Sequence, residues 1–478
     1  MVVTKFACVP VVAAALICVA QAPAPKSPAT LQLQNWLAAF DGADWQAYLA
    51  FVQKNFVTEP ERMLRSPAFR DMAKGFDLKE IETESPLRVT AVMEERATHQ
   101  MVRIVVQVEA TEPNRILQLQ MQPIPPAHLA EKQLVIDTRE FVQRMVAEDK
   151  FSGVVLIGAN GEPIFRQAYG LADREHGVPN TVDTRFGTAS MGKMFTAVAA
   201  LQLVQAGKLK LSEPIRNYLP DYPNKDVASK VTIHQLLTHT GGTGDMFGPE
   251  LDKHRLELRT HDDYIHLFGS RPLTFEPGSR WEYSNYGFVI LGAIIERVSG
   301  ENYYDYLRNH IFDPAGMRSI RFPSEGEPEP GRSVEYTKQG GNTWHAARSN
   351  AVGTAGSGPI RGMAAGGAST AIDDLLRFAN ALQEHKLLDA HYTELLTTGQ
   401  VSTPNGGHYA YGFQDAVMNG LRCFGHSGGS PGVNGDLEIC PATGYTVAVL
   451  ANIDPFAAQI VSSFIVNRLP EPGVRSDR

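Results

Sequence analysis

The strand-like runs of this 478-residue chain lie at the two ends of its long C-terminal part, and helical patterns fill the stretch between them. The runs are Val154–Ile157, Ile164–Tyr169, Leu421–Ser427, Gly435–Cys440 and Tyr445–Asn452. Asn160-Gly161, between the first two runs, is a turn pair suited to a β-hairpin. Strands so far apart in sequence can share one core by joining a single antiparallel sheet. This distribution constrains the fold more than any other feature.

The region from 129 to 470 therefore predicts an α+β domain built on that sheet. A helical pattern at Leu129–Glu148 and a final helix opening at Asp454-Pro455 would cover the sheet. The long helical stretch between the strands would form an inserted all-helical lobe. The cleft between sheet and lobe is the expected place for chemistry. Residues 322–360, rich in Gly, Pro, Ser and Asn, predict a long surface excursion.

Residues 30–122 predict a separate small α+β unit. Trp36, Leu37 and Phe40 form one helical apolar face, and strand patterns follow at residues 88–95, 100–108 and 115–122. The pattern resembles the cystatin-like, NTF2-type modules that serve as binding or spacer domains. Pro123-Ile-Pro-Pro126 is the clearest linker in the chain.

Residues 1–24 predict a signal peptide. Lys5 supplies the positive n-region, an apolar run follows, and Ala20-Gln-Ala22 has the form of a cleavage site. The run is short for a membrane span, so we expect none after its removal. These features predict export to the periplasm or the exterior.

Export would leave the mature chain with two cysteines, Cys423 and Cys440, in consecutive predicted strands. A hairpin centred near Pro431-Gly432 would place them roughly opposite each other. A cross-strand disulfide and a pair of buried thiols are both compatible with this pattern.

The net charge of −8 and the pI near 6.0 argue against a nucleic-acid partner, because such partners require a basic surface. The spacing of His234 and His239 does not suit a metal site of the H-E-x-x-H kind, and no phosphate-binding glycine loop is present. No metal or cofactor is therefore predicted. The sequence leaves the oligomeric state open.

The first candidate motif is Ser190-x-x-Lys193, where a polar turn meets an apolar helical pattern that ends near Gly207. Residues three apart share a helix face, so both side chains should point the same way. A lysine that is neutral in its surroundings can take the proton of a serine nucleophile. Alone, the pattern is more typical of a capping serine with an exposed lysine.

The second motif is Tyr283-x-Asn285, on a turn rich in Gly and Ser before a helix. Tyr283 could relay the proton of Ser190, and Asn285 could donate an amide N–H to a substrate carbonyl. A surface tyrosine on a capping turn explains the pair equally well.

The third motif runs from His426 to Gly432 and includes Gly428 and Gly429. A glycine-rich strand edge lets a substrate backbone lie close and offers N–H groups to an oxyanion. His426 could orient a substrate carboxylate or move a proton, and a hydrogen-bonded histidine in a hairpin turn is the alternative. Residues 428–432 also match G-x-S-x-G, but that elbow requires a following helix and here another strand follows.

In chain order, the three motifs resemble the signature of the penicillin-recognising serine hydrolases. Within that superfamily, the chain looks like the branch of class C β-lactamases, D-alanyl-D-alanine carboxypeptidases and related esterases. Further stretches that carry the resemblance are Val231–Gly242, Phe275–Trp281 and Ala365–Gly367. The resemblance covers about residues 129–468 and implies the β-lactamase/transpeptidase-like fold.

The resemblance also implies roles. Ser190 would be the acylated nucleophile, and Lys193 and Tyr283 would form the proton network. Asn285 would contact the acyl substrate, and the backbone N–H groups of Ser190 and Gly429 would form the oxyanion hole. The expected activity is hydrolysis of a peptide, amide or ester through an acyl-enzyme.

One residue departs from the class C pattern, because His426 stands where those β-lactamases usually carry lysine. This puts efficient β-lactam hydrolysis in doubt, since a fixed cation for the drug's carboxylate is lost or weakened. A non-catalytic binding or scaffold protein on the same fold, using the N-terminal unit to hold a partner, is the alternative function.

Overall fold

A computed structural model of the protein describes residues 26–42, 44–60, 62–324, 329–341, 343–347, 360–404 and 406–473. The chain divides into two compact units, one ending at Ile124 and one beginning at Pro125. The division falls inside the segment from Pro123 to Pro126 that the sequence marks as a linker. The predicted signal peptide, at residues 1–24, lies outside the described residues.

The first unit packs helices against a four-stranded antiparallel sheet in the order β1-β2-β3-β4. Its elements are α1 (Pro28–Asp41), α2 (Trp45–Asn55), α3 (Pro67–Ala73), β1 (Phe76–Glu84), β2 (Arg88–Glu95), β3 (Met101–Val108) and β4 (Ile116–Pro123). Trp36, Phe40 and Tyr48 are buried in its core. The sequence predicts β2, β3 and β4 but not β1. That strand is exposed beyond Phe76, so it has no apolar alternation.

The second unit contains the remaining elements. Its helices are α4 (Glu131–Ala147), α5 (Gly192–Gln205), α6 (Lys225–Lys230), α7 (Ile233–Leu237), α8 (Pro249–His254), α9 (His261–Phe268), α10 (Asn285–Ser299), α11 (Tyr303–Leu307), α12 (Asp313–Ala315), α13 (Ile372–Gln383), α14 (Ala390–Thr397) and α15 (Ala457–Val466). Its strands are β5 (Gly153–Ala159), β6 (Glu162–Tyr169), β7 (Leu171–Asp173), β8 (Val178–Pro179), β9 (Phe186–Gly187), β10 (Tyr336–Thr337), β11 (His345–Ala346), β12 (Ser369–Thr370), β13 (Val401–Ser402), β14 (His408–Tyr409), β15 (Gln414–Met418), β16 (Leu421–Ser430), β17 (Val433–Cys440) and β18 (Tyr445–Ala451).

The predicted sheet is confirmed. Eight antiparallel strands lie in the order β13-β14-β15-β16-β17-β18-β5-β6, so the C-terminal strands join the first hairpin through the pair β18 and β5. Both of these strands are buried along their whole length. Alternate residues face two cores: Val155 and Val449 pack towards α4 and α15, whereas Val154 and Leu450 pack towards the helical part. The sheet therefore separates the terminal helices from the lobe.

The hairpin of β16 and β17 brings Cys423 and Cys440 together. Its turn is Pro431-Gly432, and its register places Phe424 opposite Ile439 and therefore Cys423 opposite Cys440. The two cysteines form a disulfide with a Cα–Cα separation of 4.2 Å. Of the two alternatives that the sequence leaves open, the structure has the cross-strand bridge.

Two expectations are wrong in detail. The last helix begins at Ala457 rather than at Asp454, because the Asp454 carboxylate accepts hydrogen bonds from the backbone N–H groups of Gly432 and Lys338 instead of capping the helix. The excursion from residue 322 is not all on the surface, since Tyr336 and Thr337 are buried. Among the helices of the described residues, none is long and apolar enough to cross a membrane.

Candidate active site

Ser190 lies in a tight turn between β9 and α5. Residues 189–191 form a single 3-10 turn, and Ala189 has a φ of +43°, a backbone conformation that costs energy for a residue with a side chain. The turn is held from outside, because the Gly367 N–H donates to the Ala189 carbonyl oxygen at 3.0 Å. A Cβ on Gly366 would lie 2.2 Å from that same oxygen, so only glycine allows this approach. The neighbouring backbone thus fixes where the Ser190 hydroxyl points.

Lys193 lies one turn further along and is fully buried. Its Nζ donates to Ser190 Oγ at 3.3 Å, to Asn285 Oδ1 at 2.7 Å and to the Ala365 carbonyl oxygen at 2.6 Å. Nζ also lies 4.8 Å from the centre of the Tyr283 ring. The expectation that Ser190 and Lys193 face the same way agrees with these contacts.

Burial lowers the pKa of Lys193 from its ordinary value of 10.5 to about 7, and the carboxylate of Asp245 partly opposes this shift. At neutral pH a substantial fraction of Lys193 is therefore in the neutral amine form. A neutral amine within hydrogen-bonding distance of a serine hydroxyl can accept its proton.

Tyr283 and Asn285 enter the site from the start of α10. Ser284 caps this helix by accepting the Gly287 N–H at 2.9 Å, which fixes the residues on either side of it. Tyr283 makes a side-chain hydrogen bond with Ser190, and burial raises its pKa above the ordinary value. The phenol is therefore protonated at neutral pH, and of the two groups Lys193 is the better base.

Asp245 is a member of the site that sequence reasoning missed. Its Oδ2 accepts from Asn285 Nδ2 at 3.0 Å, and its Oδ1 accepts from the Asn285 backbone N–H at 3.1 Å. The Asn285 amide thus joins the carboxylate of Asp245 to the amine of Lys193, because its nitrogen donates to the former and its oxygen accepts from the latter. An aspartate in a loop of several glycines and threonines carries no local signal, so only the fold reveals this partner.

His239 is the second residue that was missed, because from the sequence it is considered only as a metal ligand and is set aside. It is buried with a φ of +60°, and its Nδ1 accepts the Ser284 N–H at 3.1 Å. Its ring lies 4.3 Å from the Tyr283 ring, centre to centre. Burial and the nearby Lys193 lower its pKa well below 6.5, so it is neutral. His239 therefore packs and orients the tyrosine without adding charge.

His426 lies on β16 and is buried. Its Nε2 is 3.0 Å from the Tyr409 hydroxyl, and its Nδ1 contacts the Ser427 carbonyl oxygen. Burial, together with the positive charge of Lys193, lowers its pKa to about 3. The side chain is neutral at physiological pH and both ring nitrogens are engaged. It therefore offers no fixed cation to a substrate.

Beyond Gly425, β16 has an open edge. The last residue pair with β15 is Gln414 with Gly425, so the residues from His426 to Ser430 pair only with β17. In a hairpin with a two-residue turn, successive residues alternate between bonding the partner strand and pointing their N–H groups away from it. By this alternation the N–H of Gly429 points to the open edge.

Gly428 lies directly against the turn that carries Ser190. A Cβ there would be 2.1 Å from the Thr188 carbonyl oxygen and 3.1 Å from the Ser190 nitrogen. A Cβ on Gly429 would instead meet Pro455, at 2.8 Å. The absence of a side chain at Gly428 therefore allows the strand edge to lie beside Ser190. Four of the seven residues proposed from the sequence are linked by direct contacts: Ser190, Lys193, Tyr283 and Asn285. Gly428 adjoins the turn that carries Ser190. His426 is connected to this group only through the neighbouring ring of Tyr283.

In the described residues, no group of three or more His, Cys, Asp or Glu side chains is placed to hold a metal ion.

Comparison with known proteins gives concordant matches. The sequence model of the Beta-lactamase family matches residues 138–463. The putative penicillin-binding protein PbpX of Bacillus subtilis is 33% identical over 327 residues, which are 68% of this chain and 76% of that protein. Esterase EstB of Burkholderia gladioli is 37% identical over 203 residues, 37% of this chain and 52% of the esterase. A solved penicillin-binding protein from Bacillus halodurans has a TM-score of 0.60 at 32% identity, over 68% of this chain and 98% of that one.

Proposed function

Because this chain belongs to the β-lactamase family of penicillin-recognising serine hydrolases, we propose that it hydrolyses a peptide, amide or ester through an acyl-enzyme on Ser190. The observation that carries the proposal is the buried Lys193, whose Nζ lies 3.3 Å from Ser190 Oγ and whose pKa is about 7. Such a lysine is a base poised at physiological pH.

In the first step, Ser190 Oγ attacks the substrate carbonyl carbon and its proton passes to Lys193. The oxyanion accepts hydrogen bonds from the backbone N–H groups of Ser190 and Gly429. The Tyr283 phenol relays a proton to the leaving nitrogen or oxygen, and the bond from carbon to the leaving group breaks. Water then attacks the acyl-enzyme by the reverse proton path and releases the acid, which restores Ser190.

The neutral state of His426 bears on the substrate. A β-lactam or a C-terminal carboxylate bound beside β16 would receive hydrogen bonds at most, because this side chain carries no charge. We therefore place neutral acyl compounds, that is, esters, amides and peptides without a free carboxylate beside β16, ahead of β-lactams as substrates. The name of one relative, an esterase, supports this preference.

The proposal is tested by labelling the purified protein with a fluorescent penicillin or a fluorophosphonate and locating the label in a digest. We expect it on the peptide that contains Ser190, and none in Ser190→Ala. Labelling elsewhere in folded protein would contradict the assignment of the nucleophile. A non-catalytic binding protein would show no turnover, so p-nitrophenyl ester hydrolysis that is lost in Ser190→Ala would exclude that alternative.

We also propose that the protein is exported. The Cys423–Cys440 disulfide supports this, since such bridges persist in oxidising compartments. Mass spectrometry of the protein from the periplasm or medium should find the chain trimmed after about Ala22, and an intact N-terminus on cytoplasmic protein alone would contradict export.

A further inference from the structure

A cavity of about 830 Å³ in the second unit has five arginines among the fourteen described residues that line it. The five arginines are Arg185, Arg308, Arg318, Arg321 and Arg361. Two carboxylates, Asp313 and Glu329, also line the cavity, so the described residues of its wall carry a net charge of +3 in a chain whose net charge is −8. None of the residues proposed for hydrolysis belongs to this wall.

Three of the arginines are held in place without being neutralised. Arg185, Arg321 and Arg361 each donate to a backbone carbonyl oxygen, at 2.8, 2.7 and 3.1 Å respectively. The Arg361 guanidinium also lies 3.7 Å from the centre of the Tyr304 ring. A carbonyl oxygen fixes the orientation of a guanidinium but leaves its full charge to a ligand.

The nearest carboxylate has other partners. Glu329 pairs with Arg332 and accepts from Ser369 Oγ at 3.1 Å, and its closest approach to Arg185 is 3.9 Å.

The remaining two arginines are exposed on the wall. Within the described ranges, the side chains of Arg308 and Arg318 make no ion pair. Cationic side chains that outnumber the carboxylates on one wall repel one another. Their repulsion is relieved when an anion binds between them.

We propose that this cavity is a binding site for an organic ligand that carries two or more phosphate groups. The planar guanidinium matches a phosphate in a two-point hydrogen-bonded geometry. Five guanidinium groups exceed what one phosphate or one carboxylate can use. The volume lies in the range of sites for small organic ligands, and Tyr304, Phe312 and Phe322 give the wall an apolar side for the ligand's body.

The test is isothermal titration of the full-length protein with inorganic pyrophosphate, in magnesium-free buffer at an ionic strength of about 0.15 M. The test variant is Arg308→Gln/Arg318→Gln, which leaves the hydrogen bonds to the backbone carbonyls intact. The matched control is Arg216→Gln/Arg297→Gln, since both of these residues are exposed and lie outside the cavity wall. We expect saturable binding that weakens at least tenfold in the test variant, about 1.4 kcal/mol, and less than twofold in the control.

Three outcomes would overturn the proposal. The first is no saturable heat from the unmodified protein, because the chain's own groups would then satisfy the arginines. The second is equal weakening in both double variants, which would mean a general charge effect. The third is binding of citrate at least as tight as that of pyrophosphate, which would assign the cavity to carboxylates. Weaker binding of orthophosphate than of pyrophosphate would support the need for two phosphate groups.

Discussion

Asp245→Asn should shift the pH dependence of acylation towards acid. Asp245 lies on the far side of the Asn285 amide from Lys193, and its negative charge stabilises the protonated lysine. Removing that charge disfavours the ammonium form and lowers the pKa of Lys193. Because the neutral amine is the proposed base, the acid limb of the rate profile should move with this pKa.

The size of the shift follows from the geometry. Lys193 Nζ lies 2.7 Å from Asn285 Oδ1, and Asn285 Nδ2 lies 3.0 Å from Asp245 Oδ2. One amide group separates the charges, so they lie roughly 7 Å apart, and at an effective dielectric constant of about 20 such a pair interacts by on the order of 2 kcal/mol. Asp245 is half-buried, so solvent screens part of this energy. We expect the midpoint to fall by about one unit, from near 7 to near 6.

The assay is the second-order rate constant for labelling by a fluorescent penicillin, measured between about pH 5 and pH 9. Asp221→Asn, an exposed aspartate, makes the same change in net charge and should leave the midpoint unchanged. Asp245→Glu keeps the charge and should restore the midpoint even if its plateau rate is lower. A midpoint that stays in place or rises in Asp245→Asn would refute the link between this carboxylate and Lys193.

Other substitutions test the remaining parts of the site and the fold. Lys193→Ala removes the proposed base and should slow labelling at least about 10²-fold; near-normal labelling would exclude lysine from the mechanism. Tyr283→Phe removes the phenol bonded to Ser190 and should lower ester turnover by about 10²-fold in a steady-state assay, whereas an unchanged rate would exclude the relay. Gly428→Ala places a methyl group 2.1 Å from a backbone carbonyl beside the turn, so kcat/KM should fall by about 10²-fold while the folded state survives by circular dichroism. Asp374→Asn removes the charge of a buried carboxylate that accepts from three backbone N–H groups and pairs with the half-exposed Arg377, and urea unfolding should show a loss of about 2 kcal/mol; a loss near zero would mean that the charge is dispensable.

Local patterns were sufficient for five of the eight strands of the sheet and for the shared face of Ser190 and Lys193. The alternation and length of the strand runs predict β5, β6, β16, β17 and β18, because apolar side chains must leave water wherever the chain carries them. Ser190 and Lys193 share a face through helical spacing alone. Strand β1 escaped prediction because it is exposed beyond its first residue, so burial imposes no pattern on its sequence.

Partners that meet only after folding could not be predicted from local pattern. Asp245 and His239 lie about 40 residues before the segment that they position, and nothing nearby in sequence marks either one. The same holds for the arginine cavity, whose members are spread from Arg185 to Arg361.

The amino-acid sequence alone determined which chemical groups are present and which secondary structures hold them. Tertiary structure decided their ionisation, because the pKa of Lys193 and that of His426 are set by burial and by charges brought from distant segments. From the motif alone, His426 could be either a cation or a neutral ring, and the residues packed around it decide which. The free energy of ionising a side chain depends on how much solvent the fold excludes from it and on which charges the fold places beside it.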